Sequence, residues 1–316
     1  MTGLEIAKGY FEEFGKPMLE SEFEDILPFL AAGFVGSGSE HYGYDDEVSR
    51  DHDFEPGFCI FIPGDDTIDC RRSFQLERAY AKLPKEYAGT KRTNFSPVGG
   101  NRHGVIKTNE FFLKSIGSAN GELTDMQWLR LPDYALAEAV NGDIFFDNLG
   151  EVSRIREKLT CMPEDIKLKR LAGNLLIMAQ SGQYNFLRCI KHNEPEAAQL
   201  ACVEFVNAAM KTSFLLQGRY MPYYKWSFRA FRELIGTEEL SKKLSFLLYG
   251  DNRNEATVKQ KYTVIEEISS ETIKKLKEQK LTQVISQDLE SHAYSVNDKI
   301  TDIIIRNMNI LVAVGD

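Results

Sequence analysis

The sequence predicts an α+β front half built on a mixed sheet, followed by an all-α helical bundle, with the change of character near residue 150. Three observations point there. Short apolar runs bounded by glycine, proline or small polar residues occur at 31–35, 58–62, 104–107 and 143–146, all in the first half. Beyond residue 150 apolar residues recur at helical spacing with little strand signal. The 316 residues are 43% hydrophobic and 27% charged, with 20 Phe and 13 Tyr, enough apolar matter for two cores at roughly 100–200 residues per domain. The expected domains are 1–150 and 151–316.

Taken in order, Ile6, Tyr10 and Phe14, with Ala7 and Phe11 beside them, predict an amphipathic helix over 3–15. Ser21 followed by Glu24 predicts the capped start of a second helix that turns Ile26, Phe29 and Leu30 inward. Ala31 to Val35 is a short buried strand that feeds a glycine-serine turn. Phe58 to Ile62 is a second buried strand, set off by Pro56-Gly57 and ended by Pro63-Gly64. Residues 70–83 are helical, 88–104 a polar exposed loop, 104–107 a strand and 109–116 a helix. Helical periodicity then covers 151–160, 164–192, 194–217, 227–235, 237–249, 255–279 and 281–313. Asn193 before Glu-Pro-Glu marks a helix start with Pro195 in the first turn.

Formal net charge is −9, which argues against broad nucleic-acid binding, since phosphate neutralisation needs surplus Lys and Arg. The basic cluster Lys167, Lys169 and Arg170 reads as a solvated helix face, and Tyr184, Leu187 and Ile190 as a core stripe. Five scattered cysteines without a C-x-x-C pair read as reduced thiols. The opening Met-Thr-Gly-Leu-Glu lacks the basic and apolar segments of a leader, and no run reaches the length of a membrane span. A cytoplasmic location, with no membrane partner, is the expectation.

The chemistry concentrates in residues 36–54. Gly36-Ser37-Gly38-Ser39 follows the apolar Phe34-Val35, and Asp51 and Asp53 come next, at alternate positions. Glycines let backbone N–H groups and the Ser39 hydroxyl approach phosphate oxygens. Carboxylates two residues apart on a strand share one face and can share a divalent metal. His52, between them, points to the other face and reads as a packing histidine. The acidic run Asp45, Asp46 and Glu47 is either a solvated loop or a support for Ser49 and Arg50.

This phrase, Gly38-Ser39, eleven residues on to Asp51, then His52-Asp53, resembles the signature of the nucleotidyltransferase superfamily typified by DNA polymerase β and kanamycin nucleotidyltransferase. The longer run Gly36 to Glu40, Gly43, Asp45 to Glu47 and Ser49 to Asp53 looks like a little-characterised bacterial branch with a helical domain behind. Tyr220 to Trp226 and His292-Ala293 are similar to that branch as well. The resemblance implies that Asp51 and Asp53 are catalytic and hold Mg²⁺, and that Gly38 and Ser39 bind the β- and γ-phosphates of a nucleoside triphosphate, ATP for preference. It implies transfer of AMP to a hydroxyl of a small acceptor lying between the domains, with release of pyrophosphate. The superfamily's third carboxylate belongs on a neighbouring strand, yet Gly104 to Lys107 contains no acid; Glu110 and Asp69 are nearby and read as cap or solvated carboxylates. Lys225, with Trp226, either meets a base or phosphate or fills an interface. Arg102 and Lys107 are further triphosphate contacts to weigh against solvated surface. Two other functions stand beside transfer to a small acceptor. One is a nucleotide-binding regulatory or antitoxin-like module; the other is a transferase acting on a protein or on tRNA.

Overall fold

The chain opens on α1 (Gly3–Tyr10), started by a reciprocal capping box between Thr2 and Glu5. The structure, a computed structural model, describes residues 1–48, 55–64, 67–92 and 103–314. Ser49, Arg50, Asp51, His52, Asp53 and Arg102 lie outside the described residues. After α1 the chain passes through a π-helical turn, Phe11–Gly15, into α2 (Lys16–Glu22). The wider turn bonds Lys16 N–H to Phe11 O, so Pro17, which has no N–H, enters without breaking the helix. Ser21 therefore opens no second helix. Its hydroxyl donates to Pro17 O at 2.7 Å inside α2, the local bond a helical serine can make.

A 3₁₀ turn at Leu27–Phe29 leads to β1 (Ala31–Phe34). Then come β2 (Cys59–Ile62), α3 (Cys70–Lys82), the small hairpin β3 (Glu86–Tyr87) and β4 (Thr90–Lys91), β5 (Gly104–Lys107) and α4 (Thr108–Ile116). These are followed by α5 (Asp125–Arg130), α6 (Asp133–Val140), β6 (Asp143–Asp147) and α7 (Glu151–Thr160). The sequence does not announce the hairpin, α5 or α6. Four strands form one mixed sheet in the order β5-β2-β1-β6, with β1 antiparallel to both β2 and β6, and β2 parallel to β5.

Both faces of this sheet are covered, which is why β1 and β2 are apolar at every position instead of alternating. Ile60 and Ile62 face a core shared with Tyr10, Leu19, Leu76 and Tyr80, whereas Phe61 meets Phe111 of α4 edge-on at 5.3 Å. Between Ala32 and Gly33 the β1–β6 register slips by one, leaving Phe145 as the extra residue of a bulge. Phe145 and Phe146 consequently both reach the Phe11 ring, at 5.2 and 5.7 Å, although they are consecutive.

By contact the chain divides into two compact units: Met1–Leu123 with Tyr134–Cys161, and Thr124–Asp133 with Met162–Asp316. The second unit is helical: α8 (Glu164–Met178), a π-helical stretch Ala179–Asn185, α9 (Phe186–Lys191), α10 (Pro195–Leu216), α11 (Tyr224–Arg232), α12 (Glu238–Tyr249), α13 (Glu255–Glu278), α14 (Leu289–Asn297) and α15 (Ile303–Asn307). The single helix expected over 281–313 is thus two short ones. Asp288 and Asp302 each cap a new start, and the buried His292 holds the intervening loop through Thr282 Oγ1 and Ser286 O, both at 3.0 Å. Helix α11 begins at Tyr224, three residues earlier than its apolar spacing indicates, directly behind Pro222 and Tyr223.

Two expectations for this unit are overturned. Lys169 and Arg170 are no solvated face: they are 0% and 4% exposed. Helix α8 is packed on by α5, α10, α14 and α15 and so has no outer side at these positions. Lys169 Nζ donates to Asn297 Oδ1, Arg306 O and Met308 O at 2.8, 3.1 and 2.7 Å, a cation set against the carbonyl end of α15. Tyr184 is 61% exposed and Phe186 is buried in its place. The π-helical stretch inserts a residue into the turn, which advances the phase of the apolar stripe beyond it.

The thiols follow burial. Cys59 and Cys202 are buried, which pushes their pKa values up to about 12 and about 11, while Cys70 and Cys161 are exposed. At pH 8 iodoacetamide is expected to label Cys70 and Cys161 in the native protein and Cys59 and Cys202 only after unfolding, as read by peptide mass spectrometry. Rapid native labelling of Cys59 would contradict this placement.

Candidate functional site

The site begins where β1 runs out. Val35 is buried, and Gly36 is held by one carboxamide: its N–H donates to Asn141 Oδ1 at 2.9 Å, and Asn141 Nδ2 donates to its carbonyl at 2.7 Å. Asn141 supplies both bonds that a neighbouring strand would give, so the turn leaves the sheet with its backbone satisfied. Gly142, next to it, sits at φ +61°, and a Cβ there would overlap Phe34 O. This junction is tied down by Arg156 of α7, which donates to Val140 O at 2.8 Å and to Gly142 O at 3.4 Å. Burial pushes the Arg156 guanidinium pKa down.

Asn141→Ala strips the partners from the Gly36 N–H and carbonyl. The expected result is a loss of about 1–3 kcal/mol, with faster amide exchange at Gly36. Unchanged exchange there would remove Asn141 from its anchoring role.

Gly38 has φ +132° and ψ 152°, a region that only glycine occupies without strain. A Cβ at this point would overlap the Glu40 carboxyl, which lies back against the Gly38 backbone. Ser39–Tyr42 then makes one 3₁₀ turn, closed by Gly43 in the left-handed region. Ser39, Glu40 and His41 are all buried. The Ser39 hydroxyl donates to Glu40 Oε2 at 3.4 Å, and Glu40 Oε1 lies 3.6 Å from His41 Nδ1. His41 stacks on Phe34 at 4.2 Å, and His103, the residue before β5, stacks on the same ring at 5.1 Å. Downstream, Asp45 accepts from Gly3 N at 3.0 Å and so anchors the start of α1.

Of the residues singled out from the sequence, Gly38 and Ser39 therefore sit together in a preformed turn. Asp51 and Asp53 lie outside the described residues. Lys225 belongs to the second unit, exposed at the second position of α11, with its ammonium 5.3 Å from the Trp226 ring. Strand β5, the neighbour of β2, carries no acid. Glu110 is exposed and pairs with Lys107 at 3.5 Å, and Asp69 caps α3 by accepting from Arg72 N. Both acids thus have the cap and surface roles expected of them. Among the described residues no group of three or more His, Cys, Asp or Glu side chains could hold a metal ion. Nor is any helix long and apolar enough to cross a membrane.

Glu40, Asn141, His103 and Arg156 escape a reading of the sequence. Asn141-Gly142 is a visible turn signal, but nothing local links it to residues more than a hundred positions earlier.

Fold and turn together define an α+β protein with a glycine-serine turn at the end of its first strand, backed by a helical unit. Residues 128–227 match the family described as Domain of unknown function (DUF4037). No curated protein matches the chain. Among solved structures it is similar to the nucleotidyltransferase-like protein from Exiguobacterium sibiricum 255-15. The identity is 11%, the TM-score is 0.40, and the match covers 95% of this chain and 88% of that one.

Proposed function

We propose that the protein is a Mg²⁺-dependent nucleotidyltransferase that moves a nucleoside monophosphate, AMP from ATP for preference, onto a hydroxyl of a small acceptor. The observation that carries this reading is the Gly36–Ser39 turn. Its backbone is held open at the end of a buried strand by Asn141, with glycine at the one position where a side chain would collide. In the sequence it stands eleven residues before an Asp-x-Asp pair.

Gly38 and Ser39 would bind the β- and γ-phosphates through backbone N–H groups and the hydroxyl. Asp51 and Asp53 are hard-oxygen donors of the kind Mg²⁺ prefers, and as its ligands they would place positive charge on the triphosphate and the acceptor hydroxyl. The acceptor oxygen attacks the α-phosphorus, the bond to the bridging oxygen breaks, pyrophosphate leaves, and the hydroxyl proton passes to a base. Electrostatics and positioning would dominate, as in phosphoryl transfer generally. Lys225 would contribute a charge or a stacking contact to the nucleotide. A small acceptor is favoured by a groove of about 600 Å³ on the first unit, floored by Phe11, Leu19 and Phe146 and rimmed by Lys8 and Asp143. That volume suits a small ligand, and Asp143 pairs with Phe34, two residues before Gly36.

One observation favours a second reading. The strand beside β2 has no acid, so a nucleotide-binding regulatory module lacking the third carboxylate is the alternative. The test is incubation with α-labelled ATP, GTP, CTP or UTP, Mg²⁺ and a cell extract. Label transfer with stoichiometric pyrophosphate supports the transferase. Mg²⁺-dependent binding without transfer supports the module, and neither outcome leaves the nucleotide reading standing if binding itself is absent.

A further inference from the structure

We propose that the Glu40 carboxylate is a resident anion on the phosphate turn, so that the turn admits a triphosphate as its magnesium complex and rejects the bare anion. This rests on the phosphate reading of Gly38 and Ser39 above. Three observations support it.

The first is placement. A Cβ at Gly38 would lie 2.5 Å from Glu40 Cδ and Oε2, so the carboxyl covers the open side of the very glycine whose missing side chain gives a phosphate room. The second is bonding: the Ser39 hydroxyl, the turn's side-chain donor, is already turned to Glu40 Oε2 at 3.4 Å. The third is confinement. Glu40 is 8% exposed, and beside it His41, 3.6 Å from Oε1, is held by its stack on Phe34. The carboxyl is therefore a built part of the turn and not a solvated side chain passing over it.

Carboxylate and phosphate oxygens carry the same sign of charge and accept the same hydrogen bonds. A bare polyphosphate would have to displace a like charge from a site with little water to screen it, and such juxtapositions are strongly unfavourable. A cation-neutralised triphosphate meets less of that repulsion. Glu40 would thus make the turn selective for the metal complex before any chemistry starts.

The full chain and E40Q, which removes the charge and keeps the shape, are compared by melting temperature and equilibrium binding. The ligands are ATP and inorganic tripolyphosphate, each in Mg²⁺ and in EDTA. The wild-type chain is expected to bind in Mg²⁺ and not in EDTA. E40Q is expected to bind in both, with affinity for the bare anions at least about tenfold above wild type. If E40Q does not fold, E40D withdraws the carboxyl from Gly38 by one methylene and should gain in the same direction. A glutamine variant that binds bare anions no better than wild type overturns the proposal. So does one that loses Mg²⁺-ATP binding, which would make Glu40 a ligand of the cation. Absence of binding in every chain and condition overturns the phosphate reading itself, and the Glu40 proposal with it.

Discussion

The Asp51→Asn/Asp53→Asn chain is expected to transfer label from nucleoside triphosphate on the order of 10³-fold more slowly than wild type, or not at all. The physical reason is charge. A triphosphate and an attacking hydroxyl bring negative charge together, and carboxylate-held Mg²⁺ is what the proposed reaction has to offset it. Asparagine keeps the size and one carbonyl oxygen of aspartate but loses the charge that holds a hard divalent cation. The melting-temperature rise that ATP gives in Mg²⁺ should fall in parallel, because ligand that binds only the folded chain stabilises it by mass action. Transfer that survives the double substitution would remove the Asp pair from the reaction, whatever the nucleotide preference.

The largest expected effect on stability is at Arg170. Its guanidinium, 4% exposed, donates to Trp128 O at 3.2 and 2.6 Å, to Leu131 O and to Asp133 Oδ1. One side chain of α8 thereby holds the segment from α5 to the start of α6 in the helical unit. Arg170→Ala leaves Asp133 and two carbonyls without this partner, and breaking a buried pair in this way costs about 3–5 kcal/mol. Lysine in its place keeps the charge but lacks the planar fork that meets two carbonyls and a carboxylate at once. Denaturant unfolding gives the magnitude, and hydrogen exchange should rise first across residues 124–133. A variant within about 1 kcal/mol of wild type, inside the range of ordinary surface changes, would show that the network is not what anchors this segment.

Much of the sheet is legible from local pattern. Strands β1, β2, β5 and β6 lie where apolar runs meet glycine or proline, because a strand buried on both faces must be apolar at each position and must stop at a residue that can turn. Helices α3, α4, α7, α10, α12 and α13 follow from apolar period to within a residue or two of their ends. The misreadings share one cause. Lys169 and Arg170 look like surface, since long charged side chains are seldom buried. What buries them is a set of carbonyls and an Asn side chain that the chain delivers from residues 128–133 and 297–308. Tyr184 looks like core at a regular 3.6-residue period, and the π-helical stretch breaks that period. Ser21 looks like a cap until Pro17 O accepts its hydroxyl.

The same division runs through the site. By itself the sequence determined that a glycine-serine turn would follow a buried strand, and that two aspartates would come eleven and thirteen residues after Ser39. These are properties of residue type and spacing, and they do not need the rest of the molecule. Only the tertiary structure decided that Asn141 holds Gly36, that Glu40 lies on Gly38, and that His41 and His103 share the Phe34 ring. Glu40 is two residues from Gly38, but the direction of its carboxyl depends on the φ of that glycine and on the packing of His41. Asn141 and His103 arrive from strands and loops far along the chain. Period and spacing describe what a segment does with its own neighbours; which distant side chain completes its hydrogen bonds is settled when the strands pair.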